Sequence, residues 1–194
     1  MRLVRSILAR KSQPLVEGEI SIEDLHTIFS CALTAPDHKR LKPWRFIVCG
    51  PQQKAYFKEM ITLSLRESNG EVNEITMKKI DRKLNSAPYI IICIAELNKQ
   101  TSVPEVEQVL STGASIQNMI IAAESMGFCC FWRTGDWAYN PILHKKLALS
   151  ENAIIAGFLG LGEKISNQNG AKNNQRPSVS EHFSYLKTGE AFEA

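Results

Sequence analysis

The chain has 194 residues, 44% of them hydrophobic and 22% charged. That length and mixture suit one self-sufficient globular domain and exclude disordered, collagen-like and coiled-coil classes. The formal net charge of +3 is too small to suggest a nucleic-acid partner.

The first segment, MRLVRSILARKS, is too short and too charged for an export signal. The longest apolar runs fall far short of the ~20 residues that span a bilayer. A cytoplasmic protein with no membrane partner is expected.

Leu3, Ile7 and Leu8 share a helical face over residues 3–9, and Pro14 confirms the break after Arg10-Lys11-Ser12. Ser21 reads as the N-cap of a second helix, with Asp24 as its capping partner. Ile22, Leu25, Phe29 and Leu33 recur along that helix, which ends at Thr34-Ala35-Pro36. A polar loop over 37–42 leads to a strand over 44–49. Helix signals follow over 51–68 and 71–86. The run from Tyr89 to Ala95 is apolar on both faces and reads as a central strand.

The longest helix covers 105–126. Its portion over 113–123 is small and apolar nearly all round, as in a helix buried on several sides, and a subunit interface is one way to bury it. A strand over 128–132, a loop over 133–140, a short helix over 141–148 and a strand over 153–161 follow. Residues 163–181 are rich in Asn, Gln, Ser and Gly and read as a long arm. His182-Phe183-Ser184-Tyr185-Leu186 is an apolar patch of the kind that docks on a partner subunit. The order implies an α+β fold, an α/β three-layer sandwich around one central sheet. It divides into a domain over 1–162 and a C-terminal arm over 163–194.

The five cysteines, Cys31, Cys49, Cys93, Cys129 and Cys130, sit mostly in apolar runs and read as buried, reduced side chains. Cys129 and Cys130 are adjacent, so in a strand they point to opposite faces. No C-x-x-C or H-x-x-x-H pair suggests a metal, and no G-x-S-x-G suggests hydrolysis.

Four segments carry candidate chemistry. Arg10-Lys11-Ser12 offers two cations and a hydroxyl, a donor set suited to a phosphate; it also reads as a solvated basic helix end. Residues 35–46 form a proline-stiffened basic loop suited to an anionic ligand, or a charged surface loop. Trp132-Arg133-Thr134-Gly135 lies at a strand's carboxyl end, where ligands gather in open sheets. Gly157-Phe158-Leu159-Gly160-Leu161-Gly162 is not a nucleotide-binding glycine pattern. There Gly160 and Gly162 read as sites of close packing or a turn.

Taken in order, these segments resemble the nitroreductase family of flavoproteins, most closely its small bacterial NAD(P)H nitroreductase branch. The likeness spans residues 1 to about 162 and rests on Arg10-Lys11-Ser12, Thr34-Ala35-Pro36-Asp37-His38-Lys39 through Pro43-Trp44-Arg45-Phe46, Trp132-Arg133-Thr134-Gly135, and the run from Gly157 to Gly162. The resemblance implies a homodimer with a central mixed sheet and FMN at the subunit interface. It implies that Arg10, Lys11 and Ser12 hold the phosphate or ribityl side. Thr34 and His38 would reach the flavin from the partner subunit. Trp132, Arg133, Thr134 and Gly135 would bracket the isoalloxazine, and Arg133, His38 or Lys39 would supply positive charge beside it. The segment from Ala122 to Gly127 matches one assigned to the nicotinamide nucleotide.

The implied activity is hydride transfer from NADH or NADPH through flavin N5 to a nitroaromatic, quinone or flavin, in ping-pong order. No catalytic side chain is required. The alternatives are a flavin-binding or interaction protein without turnover, and a flavin-dependent dehydrogenase or dehalogenase of the same fold. Of the C-terminal cations Lys164, Lys172 and Arg176, none aligns with a family phosphate ligand.

Overall fold

The computed structural model describes residues 2–13, 16–163, 165 and 176–186. In chain order the elements are α1 (Arg2–Ala9), α2 (Ile22–Ala32), β1 (Trp44–Cys49), α3 (Lys54–Asn69), α4 (Glu74–Leu84), β2 (Tyr89–Glu96), α5 (Glu105–Ser125), β3 (Cys129–Arg133), α6 (Pro141–Lys146) and β4 (Ala153–Gly162). Short 3-10 turns occupy His38–Arg40, Pro51–Gln53 and Asp136–Tyr139.

Local chemistry sets several boundaries. Ser21 caps α2 as expected: its Oγ accepts from Asp24 N at 3.0 Å and donates to Asp24 Oδ2 at 2.7 Å. Asn73 caps α4 by accepting from Thr76 N at 2.9 Å, so that helix starts later than its sequence pattern suggests.

The sheet order is β1-β2-β4-β3, and every pairing between these strands is antiparallel. The resemblance implied a mixed sheet; the connections explain the difference. Two helices, α3 and α4, separate β1 from β2 and return the chain to the end it left, which makes those neighbours antiparallel. The single helix α5 carries the chain from β2 to β3 in the same direction, as in any one-helix crossover. β4 then inserts between β2 and β3 and runs against both.

The alternation of β2 divides the core into two layers. Ile90, Ile92 and Ile94 face one side, where they join Phe57, Ile61, Ile80, Leu143 and Phe158. Ile91 and Cys93 face the other, where they join Leu25, Ile28, Ile116, Met119 and Leu159. Helices α3, α4 and α6 therefore cover one face of the sheet, and α2 and α5 cover the other, giving the expected three layers. Cys129 and Cys130 fall on opposite sides as their adjacency requires. Burial pushes the Cys93 thiol far up and the Cys130 thiol up to about 12, the latter helped by the Glu124 charge.

Much of the burial expected from a partner is met within the chain. On α5, Ser115, Ile116, Met119, Ile120, Ala122 and Ala123 are buried by α2 and the sheet. Val106 and Leu110 on the same helix stay 62% and 66% exposed. In the arm, Lys164 and Lys172 lie outside the described residues. Phe183, Tyr185 and Leu186 are exposed.

Candidate functional site

The end of β3 is shaped by glycines on β4. The Phe131 ring occupies the space where a Cβ on Gly160 would sit. Trp132 lies against Gly157, where a Cβ would fall 2.8 Å from Trp132 Cδ1 and 2.9 Å from the Arg133 carbonyl oxygen. The indole Nε1 donates to the Ala156 carbonyl at 3.2 Å. Across from it, Trp132 Cη2 stands 4.0 Å from where Gly113 of α5 would carry a Cβ. The ring is thus fixed in orientation, yet 40% exposed. The run from Gly157 to Gly162 accordingly serves close packing, as its sequence suggested.

Thr134 and Gly135 follow, with Gly135 at φ +130. Lys83, which no sequence pattern singled out, brings its Nζ to 3.9 Å from the position of a Gly135 Cβ and to 4.6 Å from the Trp137 ring centroid. Burial pulls this ammonium below its ordinary range, and Asp136 acts against that pull.

Arg133 turns inward. Its Nη2 donates to the Lys83 carbonyl at 2.6 Å and to Ser86 Oγ at 2.9 Å, and its guanidinium stacks 4.6 Å from the Phe131 ring centroid. The side chain ties β3 to the turn between α4 and β2.

The strap after α1 runs beside the same strand, because Gln13 N donates to the Cys130 carbonyl at 3.1 Å. Arg10 Nη1 donates to Ser12 Oγ at 3.3 Å, while Lys11 and Ser12 are exposed. Arg176 returns from the arm to this point and donates to the carbonyls of Leu8 and Arg10. Sequence alone left Arg176 unplaced. Arg10, Lys11 and Ser12 form a donor set that fits a phosphate, with Arg176 beside them as a tie between the arm and the strap. Glu124 borders this set. Its Oε1 is buried without a hydrogen-bond partner, and burial pushes the carboxyl up, with Arg10 opposing to a lesser extent.

Thr34 and His38 lie elsewhere along α5. Thr34 Oγ1 donates to the Cys31 carbonyl at 2.8 Å and accepts from Asn118 Nδ2 at 3.3 Å. His38 Nδ1 and Glu107 Oε2 are 2.7 Å apart. At about 100° per residue, Glu107 and Asn118 share one side of α5, roughly 120–140° from Gly113, which faces Trp132. Within one chain the nine expected residues therefore form two groups. Arg10, Lys11, Ser12, Trp132, Arg133, Thr134 and Gly135 gather around β3, and Thr34 and His38 sit on another face of α5. In the segment from Ala122 to Gly127, the side chains of Ala122 and Ala123 are buried in the core, while Ser125 and Gly127 are exposed.

Among the described residues, no cluster of three or more His, Cys, Asp or Glu is arranged to hold a metal ion. No helix among them is long and apolar enough to cross a membrane.

Comparison with known proteins bears on this arrangement. A model of the nitroreductase family matches residues 15–163. The chain is 30% identical over 156 residues to the Escherichia coli K12 protein named "Putative NAD(P)H nitroreductase YdjA", covering 79% of this chain and 82% of that one. It is 27% identical to a Haemophilus influenzae protein named "Putative NAD(P)H nitroreductase", covering 80% and 85%. Among solved structures, a nitroreductase-like family protein from Bacillus cereus superposes with a TM-score of 0.79 at 20% identity, covering 95% of this chain and 96% of that one. A Desulfovibrio desulfuricans structure, described as a putative nitroreductase in complex with FMN, gives 0.71 at 22% identity, covering 98% of each chain. With three-quarters of its length under the family model and the three-layer architecture in common, this chain belongs to the nitroreductase family.

Proposed function

We propose that the chain is an FMN-dependent oxidoreductase that uses NADH or NADPH to reduce a small electron-poor acceptor, in ping-pong order and as a homodimer. The observation that carries this reading is the meeting of the Arg10–Ser12 strap with the Trp132–Gly135 strand end along β3. One end offers cations and a hydroxyl for a phosphate. The other offers a half-open indole and unhindered backbone for a planar ring.

When bound, FMN supplies the capacity to accept and donate hydride, and the protein supplies position and charge. Arg10, Lys11 and Ser12 hold the phosphate side, with Arg176 beside them. The backbone N–H of Thr134 or Gly135 hydrogen-bonds the ring, and Trp132 borders it. Lys83 places positive charge near the same backbone. Arg133 acts through its backbone and as a strut, since its guanidinium is already engaged by Lys83 and Ser86. The names of the Escherichia coli and Haemophilus influenzae relatives support NAD(P)H as the reductant.

The division of the nine residues into two groups supports a site shared between two copies, with Thr34 and His38 facing the partner's flavin. Exposed Leu3, Ile7, Val106 and Leu110 supply apolar surface for such an interface. Purified protein incubated with FMN is expected to be yellow, to bleach on adding NADH or NADPH without oxygen, and to scatter light as a particle near twice 21.7 kDa. Protein that stays colourless overturns the reading. Colour without bleaching assigns a flavin-binding protein without turnover.

A further inference from the structure

We propose that Glu124 is the acidic partner that a cofactor phosphate displaces from Arg10, so that the flavin phosphate and a proton enter this site together. The inference rests on the FMN reading above and deepens it by assigning a residue that governs how tightly the phosphate is held.

Among the described residues, Glu124 Oε1 is the only buried side-chain nitrogen or oxygen atom without a hydrogen-bond partner. Such atoms are rare in folded proteins, and each calls for a reason. The buried hydroxyls earlier on α5 are all satisfied. Ser111 donates to the Pro36 carbonyl at 2.6 Å, Thr112 to the Gln108 carbonyl at 3.1 Å and Ser115 to the Ala32 carbonyl at 2.6 Å. Glu124 differs in its place as well. It lies in the last turn of α5, where the helix dipole disfavours a negative charge.

The strap after α1 brings Arg10 within electrostatic reach, and that cation favours the ionised carboxylate against the effect of burial. From β3 comes Cys130, whose thiol is pushed up to about 12 and stays neutral. The arm brings Arg176, which donates to the backbone carbonyls of Leu8 and Arg10. Among the described residues, no other charged group acts on the Glu124 carboxyl. Arg10 itself hydrogen-bonds only Ser12 Oγ there, at 3.3 Å, so most of its five N–H donors are open to an anion.

The consequence follows from charge alone. A phosphate dianion on Arg10 cancels the support that the guanidinium gives the carboxylate, and it adds like charge beside it. Burial and the helix end, which both favour the neutral acid, then prevail. Glu124 takes one proton from solvent, and the only bond formed is its O–H. Protein with a Glu124 carboxylate, phosphate dianion and one proton give a complex that holds the neutral acid. Coupling of two ligands is reciprocal, so a phosphate whose binding takes up a proton is held less tightly as pH rises.

The test titrates flavin-free full-length protein, wild type and Glu124→Gln, with FMN and with riboflavin, from about pH 5 to about pH 8.5. For FMN, the ratio of wild-type to variant Kd should fall toward one at the acid end. At the alkaline end it should reach about three- to tenfold, as expected of one partly screened like charge. The proton of the FMN phosphate itself cancels in this ratio. Riboflavin lacks the phosphate, so its ratio should stay near one throughout. Calorimetry of the wild type in two buffers of different ionisation enthalpy should show proton uptake with FMN and none with riboflavin, a readout that needs no variant. A flat FMN ratio, an equal rise with riboflavin, or proton release on binding FMN overturns the proposal. Wild-type protein that binds FMN at no pH overturns the oxidoreductase reading itself, and this proposal falls with it.

Discussion

Trp132 lies across the backbone of Gly157, its indole donating to the neighbouring Ala156 carbonyl at 3.2 Å. The ring is held on β4 and by α5, with no other aromatic side chain needed to set its orientation. Gly157 also sits at φ +147, which a residue with a side chain rarely adopts. Gly157→Ala is expected to destabilise the protein by about 1–3 kcal/mol, as overpacking does. It should also shift tryptophan fluorescence as the indole is displaced. Urea unfolding and emission spectra check both.

Two arginines near β3 should separate cleanly on mutation. Among the described residues the Arg10 side chain hydrogen-bonds only to Ser12, so Arg10→Ala should leave the urea midpoint nearly unchanged. Its FMN affinity should fall about 10- to 100-fold, as expected for loss of a charge-assisted hydrogen bond of roughly 1.5–3 kcal/mol. Fluorescence titration of FMN reads this directly, and unchanged affinity removes Arg10 from the site.

Arg133 is the converse case. Arg133→Met strips hydrogen bonds from the Lys83 carbonyl and Ser86 Oγ in a partly buried turn. A loss of about 1–3 kcal/mol is expected. A urea unfolding curve of the protein without FMN tests it, because the effect belongs to the fold.

Glu124 gives a pH dependence with a definite sign. Burial raises its carboxyl in the folded protein, so the folded state holds that proton to higher pH than the unfolded chain does. The contribution of Glu124 to stability is fully present below the unfolded carboxyl value of about 4.3. It is lost as pH rises through the folded value. Glu124→Gln should therefore raise the thermal midpoint at neutral pH and have little effect near pH 4. A rise of equal size at both pH values would refute this.

Local patterning made much of the molecule legible. The strand β2 was visible because isoleucines at successive positions must face both layers, and Ser21 with Asp24 is a cap that sequence spacing alone exposes. The glycines of β4 were readable as packing sites because the run lacks every feature of a phosphate loop. The pairing of Arg133 with the Lys83 carbonyl was not readable. A cation at a strand end looks like a ligand group until the turn before β2 is seen to lie beneath it. The partnership of His38 with Glu107 and the return of Arg176 to Arg10 were hidden for the same reason. Both depend on the angle at which distant segments meet, which no local spacing encodes.

The insertion of β4 between β2 and β3 bears on how the molecule comes into being. Among the described residues, β3 pairs with no strand but β4, and β2 pairs on that side only with β4. A nascent chain that has reached residue 150 carries α5 and β3 with the middle of the sheet still missing. The native sheet closes only once residues 153–162 have emerged, so its formation waits on contacts distant in sequence, the kind that slow folding and leave strand edges exposed.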